Sequence, residues 1–330
     1  MEQRQSGIVS TVVQILAIGD ANAELVFSPI DSPPQFSREI IVPKISLRAA
    51  GSATNFALCS AHLGVKTGFA GRLAVDKFGE VVLKALRNAD VDTQGLRLVE
   101  DSETGITVAL IRKDGERALI TYQGTNAELQ YQDLEKALAN DPPPRWVHLA
   151  GYHLLDSIQG EPAIRLLKLA QELGATTSLD TGWDPKGWPK DRNDALLDIL
   201  QFVDVFFPNA DEVKALTGEK GYRKGTQKLI DAGTSALVVK LGNKGCFLAT
   251  KRDKHVIPTF KVDVEDTTAA GDAFNAGFAV SMLAGATMGR AAVFANAVAA
   301  LRISRQPHQP LFPTLQETTA FLMRKRPLET

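Results

Sequence analysis

Cysteine is scarce in this chain: Cys59 and Cys246 are the two present in 330 residues, far apart and without neighbours at metal-ligand spacing. That excludes a disulfide scaffold and a cysteine metal site, and it fits reduced core thiols in a cytoplasmic protein. A surplus of charge is missing too, since 37 basic residues stand against 38 acidic ones for a net charge of -1. Without a basic excess, no nucleic acid and no anionic membrane surface is expected as a partner, and a small molecule is. Long apolar runs are absent. The longest uncharged stretch, Ala273 to Gly289, is rich in Gly, Ala and Ser and falls short of the ~20 strongly apolar residues that span a bilayer. The opening MEQRQSG is polar and leads into no signal-type run. No G-x-G-x-x-G follows the first apolar segment, where Gly19-Asp20-Ala21-Asn22 stands instead, and this excludes a Rossmann dehydrogenase. Internal repeats and low-complexity segments are likewise missing.

What is present is ordinary globular composition, 44% hydrophobic and 23% charged, in a length that suits one large α/β domain or two modest ones. Short apolar runs alternate with helical patterns. Val12 to Ile18 and Val65 to Ala70 read as buried strands, Ala53 to His62 and Lys77 to Ala89 as helices. From Trp146 onward, strand-like Trp146 to Leu149, Thr176 to Leu179, Val203 to Phe206 and Ala236 to Leu241 are separated by helix-length crossovers. Such spacing implies a doubly wound, mainly parallel sheet with helices on both faces. Ligands of these sheets bind beyond the carboxyl ends of the strands. A smaller β element is expected from Glu24 to Phe27, Glu39 to Ser46, Ile106 to Arg112 and Arg117 to Tyr122. The last two flank Lys113-Asp114-Gly115-Glu116, a strong hairpin signal.

The most informative stretch is Asp266-Thr267-Thr268-Ala269-Ala270-Gly271-Asp272-Ala273-Phe274, ahead of a helical pattern from Asn275 to Leu283. Small residues before a helix let backbone N–H groups converge on an anion, aided by the positive end of the helix dipole. An acid in the first turn then lies beside that anion, although Asp272 alone would read as an N-cap. The whole string resembles the second signature, DTxGAGDxF, of the ribokinase-like (PfkB) carbohydrate kinases. The resemblance implies an α/β kinase fold with a small β-sheet lid, Mg²⁺ and ATP as cofactor and co-substrate, and a sugar as acceptor. It implies amides of Ala269, Ala270 and Gly271 as the anion hole and Asp272 as the base on the acceptor hydroxyl. Phosphoryl transfer needs positioning, charge stabilisation and a proton acceptor, which such a loop supplies. Ala269 replaces the usual first glycine.

Other segments extend the likeness from about Gln14 to about Pro313. Pro208-Asn209-Ala210-Asp211-Glu212 resembles N-x-x-E, which implies Asn209 near the nucleotide and Glu212 holding Mg²⁺ through water; the plain alternative is a helix start with acidic residues. Lys240-Leu241-Gly242-Asn243-Lys244-Gly245 resembles the nucleotide loop, with Lys240, Gly242 and Gly245 as contacts, and Asn296 falls where relatives touch adenine. On the acceptor side, Asn22 and Glu24 match an Asn and an Asp that hold sugar hydroxyls, while Gly51 and Asn55 match the first signature, G-G-x-x-x-N, with Ala50 for one glycine. In Gly71-Arg72-Leu73-Ala74-Val75-Asp76-Lys77-Phe78-Gly79, Asp76 and Gly79 are structural. The resemblance also attaches a monovalent cation, K⁺, to Asp266. Two departures stand out. Asp180-Thr181-Gly182-Trp183-Asp184 lacks the Asn and Arg of the relatives' D-x-N-x-R, and Pro307 to Pro313 lacks their Gly-Ala loop. The resulting expectation is a kinase domain over 13–330, with lid segments near 24–46 and 105–123 and a tail at 1–12, acting as a monomer or a homodimer through the lid. A nucleoside kinase of the same fold and a non-catalytic sugar- or nucleotide-binding regulator remain open alternatives.

Overall fold

The computed structural model describes residues 12–113, 117–139, 141–306 and 309–325. The expected tail and the tip of the 113–116 turn thus fall almost wholly outside the described residues, as does the Pro307-His308 step. In chain order the strands are β1 (Ile15–Gly19), β2 (Asn22–Ile30), β3 (Ile45–Ala50), β4 (Thr67–Ala74), β5 (Leu96–Val99), β6 (Gly105–Arg112), β7 (Arg117–Tyr122), β8 (Trp146–Ala150), β9 (Thr176–Asp180), β10 (Val205–Phe206), β11 (Ala236–Lys240), β12 (Cys246–Thr250) and β13 (Lys254–Ile257). The helices are α1 (Ser52–His62), α2 (Lys77–Asn88), α3 (Tyr131–Leu138), α4 (Glu161–Glu172), α5 (Lys190–Ile199), α6 (Ala210–Thr217), α7 (Tyr222–Asp231), α8 (Ala270–Leu283), α9 (Met288–Ile303) and α10 (Leu315–Arg324).

Nine strands form one sheet in the order β13-β12-β11-β10-β9-β8-β1-β4-β5, parallel except for the β11-β12-β13 meander at one edge. β1 pairs with β8 on one side and β4 on the other, so the strand order reverses at β1 and opens a crevice above its carboxyl end. Two apolar layers cover the faces. One holds Ile15, Phe56, Phe69, Phe207 and Phe278, the other Leu16, Leu149, Leu167 and Phe206. This is the doubly wound architecture expected from the alternating runs.

β2, β3, β6 and β7 make a separate sheet in the order β3-β2-β6-β7. Its register places Glu24 opposite Arg48 and Asn22 opposite Ala50. The lid is therefore present, with one correction: its second strand is β3 at Ile45–Ala50, not Glu39 to Ser46. Residues 37–44 lie outside any strand, and most of them face solvent, so no burial pattern there marks a ladder. β10 is also shorter than the Val203 to Phe206 reading, because Leu200–Phe202 closes a 3₁₀ turn just before it. α8 begins at Ala270 rather than Asn275, so Ala270, Gly271 and Asp272 all belong to its first turn.

Helix α8 carries that turn and is buried nearly all round, as a core helix with no polar stripe must be. It lies close against α9: a Cβ on Gly277 would come within 2.9 Å of Val298 Cγ2 and 3.1 Å of Ala295 Cα. Backbones this close fix the height at which the first turn of α8 meets the crevice.

Candidate active site

Asp272 is the centre of the site. Its Oδ2 accepts a 2.8 Å hydrogen bond from Asn55 Nδ2 in α1. Burial, reinforced by the charge of Asp180, pushes its pKa up to about 7 against the bond from Asn55 and the pull of Lys240. A carboxyl poised there can take a proton near neutral pH. Just before it, Ala269 caps α8 in the left-handed region at φ 56°, and the Ala270 amide donates to the Thr267 carbonyl at 3.3 Å.

Beyond the base lies a bonded cluster at the carboxyl ends of β9 and β11. Asp180 Oδ2 accepts from Lys240 Nζ at 2.6 Å and from Asn275 Nδ2 at 2.5 Å, while Oδ1 accepts from the Gly182 amide at 3.0 Å. Burial would raise the Asp180 pKa, but Lys240 outweighs it and holds the carboxyl below its ordinary value. A Cβ built on Gly271 would lie 3.4 Å from Lys240 Nζ. Lys240, expected in the nucleotide loop, thus has its ammonium beside the anion-hole turn. Its neighbours Gly242 and Gly245 shape the 3₁₀ turn between β11 and β12 with φ of 60° and 88°.

Asn209 and Glu212 form a reciprocal cap on α6. Asn209 Oδ1 accepts from the amides of Asp211 and Glu212, and the Glu212 carboxylate accepts from Asn209 N at 2.8 Å and Nδ2 at 2.6 Å. Burial, with the nearby Asp180 charge and despite Lys240, pushes the Glu212 pKa up to about 7. The helix-start reading of this motif is therefore realised, with the Glu212 carboxyl in electrostatic reach of Lys240 and Asp180. Asn296, expected near the adenine, is bonded within the protein. Its Nδ2 donates to the carbonyls of Ile257 and Pro258 at 3.2 Å each, so it ties α9 to the chain leaving β13.

On the acceptor side, Asp20 organises the backbone, a role the sequence reading did not assign. Its buried carboxylate accepts from the amides of Ser52 and Ala53 at 3.0 and 2.9 Å, at the start of α1. Gly51 sits there at φ 104°, where a Cβ would meet the Asp20 carbonyl at 2.5 Å, so glycine is required for the close approach. Asn22 is buried and its Oδ1 accepts from Asn126 Nδ2 at 2.6 Å. Asn126 also anchors the Ala21 amide through Oδ1 at 2.8 Å. This residue was likewise missed, since a lone Asn more than a hundred positions away carries no local signal. Glu24 pairs with Arg48 Nε at 2.7 Å across the lid sheet.

Asp266 is engaged on every side. Oδ1 accepts from the Thr268 amide at 2.8 Å, Oδ2 from Arg302 Nη2 at 2.9 Å and from Arg48 Nη1 at 3.3 Å, and its carbonyl from Arg302 Nη1 at 3.3 Å. Burial raises its pKa, but Arg302 outweighs that and holds the carboxyl well below the usual carboxylate range. These atoms do not fit a monovalent cation, because guanidinium groups occupy Oδ2 and the carbonyl while an amide occupies Oδ1. Among the described residues no cluster of three or more His, Cys, Asp or Glu could hold a metal by itself.

A buried acid of raised pKa in the first turn of a core helix, at the switch point of a parallel sheet, suits a phosphotransferase acting on a hydroxyl. Comparison with known proteins fixes the family. The pfkB family carbohydrate kinase profile matches residues 13–315, and the chain belongs to that family. An ATP-dependent ribose-1-phosphate kinase of Halopiger xanaduensis is 30% identical to it, over 94% of this chain and 98% of that one. A ribokinase of Haemophilus influenzae is 27% identical over 93% and 98% of the two chains. The structure of Arabidopsis thaliana ribokinase complexed with ribose and ATP superposes with a TM-score of 0.76 at 26% identity, covering 94% of this chain and 98% of that one.

Proposed function

We propose that this carbohydrate kinase transfers the terminal phosphoryl group of ATP to a hydroxyl of a pentose or pentose phosphate, with Asp272 as the base. The observation that carries the reading is the carboxyl of Asp272, poised at about 7 in the first turn of α8 and held by Asn55 from the acceptor side. The amides of Ala269, Ala270 and Gly271 would receive the charge that grows on the transferring group, and Lys240 Nζ stands beside them to neutralise it. Asp180 keeps that ammonium charged and aimed. Asn22, Glu24, Gly51 and Asn55 surround the acceptor pocket, and Asn55 links it to the base.

Glu212 fits a Mg²⁺ held mainly by the ATP phosphates: it is buried, lies near Lys240 and Asp180, and its raised pKa would fall as a cation approaches. The metal would offset phosphate charge, and this chain would reach it from Glu212 and Asn209 through water. The lid would close the pocket against water that would otherwise take the phosphoryl group. Ile45, Leu47, Ile120 and Tyr122, exposed on one face of the lid, support a homodimer through that sheet. Release of ADP, measured with Mg²⁺·ATP against ribose, ribose 1-phosphate, fructose and nucleosides, tests the reading. Turnover with a pentose or its phosphate is the expected result. Preference for a nucleoside would move the acceptor class, and no release with any acceptor would favour a binding regulator.

A further inference from the structure

Arg302 lies at the penultimate position of α9 with 1% of its surface exposed. A buried guanidinium stays charged and has to be paired. Its pairing here is specific: Nη1 reaches the carbonyl of Asp266 at 3.3 Å and Nη2 reaches Oδ2 of the same residue at 2.9 Å. The backbone adds to this clip, since the amides of Glu265 and Asp266 donate to the Ile303 carbonyl at 2.8 and 3.3 Å. One side chain thus grips both oxygen types of the residue that starts the turn into Ala269, Ala270 and Gly271. Arg48 supplies a second guanidinium to the same carboxylate from the lid sheet, 3.3 Å away. A free cation placed between these oxygens would sit against two fixed positive charges, at contact distances where like charges repel strongly.

We propose that Arg302 is a built-in cation for the anion-hole turn, a positioning residue that fixes Asp266–Gly271 so that turnover requires no monovalent cation. The inference rests on reading that turn as the anion hole. It assigns to an arginine the work that K⁺ was expected to do beside Asp266, and it makes the turn's geometry independent of the salt in the medium. Arg302 touches no reacting atom; it acts through the backbone it holds.

The test uses the full chain in buffers whose salt is tetramethylammonium chloride, with KCl exchanged in at constant ionic strength. Wild type should show the same kcat and the same melting temperature in both salts; a saturable rise of either with KCl overturns the proposal. Arg302→Ala should lose about 10²-fold in kcat, the scale expected when a catalytic turn shifts by an ångström, with the sugar KM little changed. KCl or guanidinium chloride should restore part of that loss and raise the variant's melting temperature. A folded Arg302→Ala protein with wild-type kcat in tetramethylammonium chloride also overturns it. Should that variant not fold, Arg302→Lys and the wild-type salt comparison decide in its place: Arg302→Lys should retain kcat above any folded neutral variant and remain indifferent to KCl. Melting temperatures read the cation question without turnover, whereas full activity in Asp272→Asn would strike only at the reading of the site.

Discussion

The two sheets of this kinase carry their polar residues in opposite ways. In the nine-stranded sheet, β1 and β8 are buried along their whole length, and the polar groups that matter sit at or just past the strand ends, bonded to one another: Asp180 to Lys240 and Asn275, Asp272 to Asn55. In the lid, β6 alternates between buried and half-buried residues near its start, β7 is exposed throughout, and the polar pair Glu24–Arg48 lies on the covered side. The first arrangement is rigid because every charged group has a partner in a packed surround. The second is thin, with one face to solvent, and is suited to moving over an acceptor. In the proposed function, chemistry belongs to one sheet and choice of acceptor to the other, so substitutions should divide between kcat and KM along the same line.

Asp272→Asn cuts deepest into that division. Removing a general base is worth ~10²–10⁴-fold in rate, and the loss should fall on kcat while ATP binding, followed by calorimetry, stays intact. Near-full turnover by the folded variant would return Asp272 to the role of a helix-start acid. Glu24→Ala should act on the other sheet. It strips a hydrogen-bond acceptor from the pocket and a partner from Arg48, at ~1–3 kcal/mol, read as a raised sugar KM with the ATP KM nearly unchanged. Glu24→Asp should reorder the acceptors, because the shorter carboxylate cannot reach the same hydroxyl. An unchanged sugar KM in both would remove Glu24 from the pocket.

The pH profile sharpens the same contrast. As the proposed base, Asp272 works only when charged, and burial raises its pKa to about 7. Well below that value kcat/KM should therefore fall about tenfold per pH unit, and above it level off. A profile flat from mildly acidic to neutral pH would show that no group of raised pKa governs the reaction. The smallest effect is expected on the exposed side of the lid, where Ile120→Ser should change the stability of a single copy by no more than about 0.5 kcal/mol in a thermal melt. A larger drop accompanied by a smaller mass in sedimentation would show that a second copy covers this face.

Much of this was legible in the sequence, for a physical reason. Buried parallel strands read as continuous apolar runs, and an amide turn ahead of a helix needs small residues, so the main sheet and the 266–274 string announce themselves locally. β3 did not, because a lid strand with a solvent face lacks the burial that makes a run visible. Pairings across long stretches of chain were also hidden. Lys240 looks like part of a hairpin loop until Asp180, sixty positions earlier, is seen to bind it. Nothing local announces that the Asn296 amide donates to the carbonyls of Ile257 and Pro258, at the end of β13. Arg302 on its helix gives no sign of Asp266. Composition and spacing report which groups are available, and the tertiary fold decides which of them meet.

Ala269 gives the active turn a mechanical character. An L-residue held in the left-handed region, as here at φ 56°, carries a penalty of roughly 1–2 kcal/mol that glycine escapes. The methyl group therefore loads the turn like a bent spring, held in place by Arg302 on one side and by the packed helix α8 on the other. Ala269→Gly should unload it, raising the melting temperature if the relief exceeds the extra freedom glycine gains in the unfolded chain. The same change gives the turn more shapes to visit, so the more heat-resistant variant should turn over more slowly.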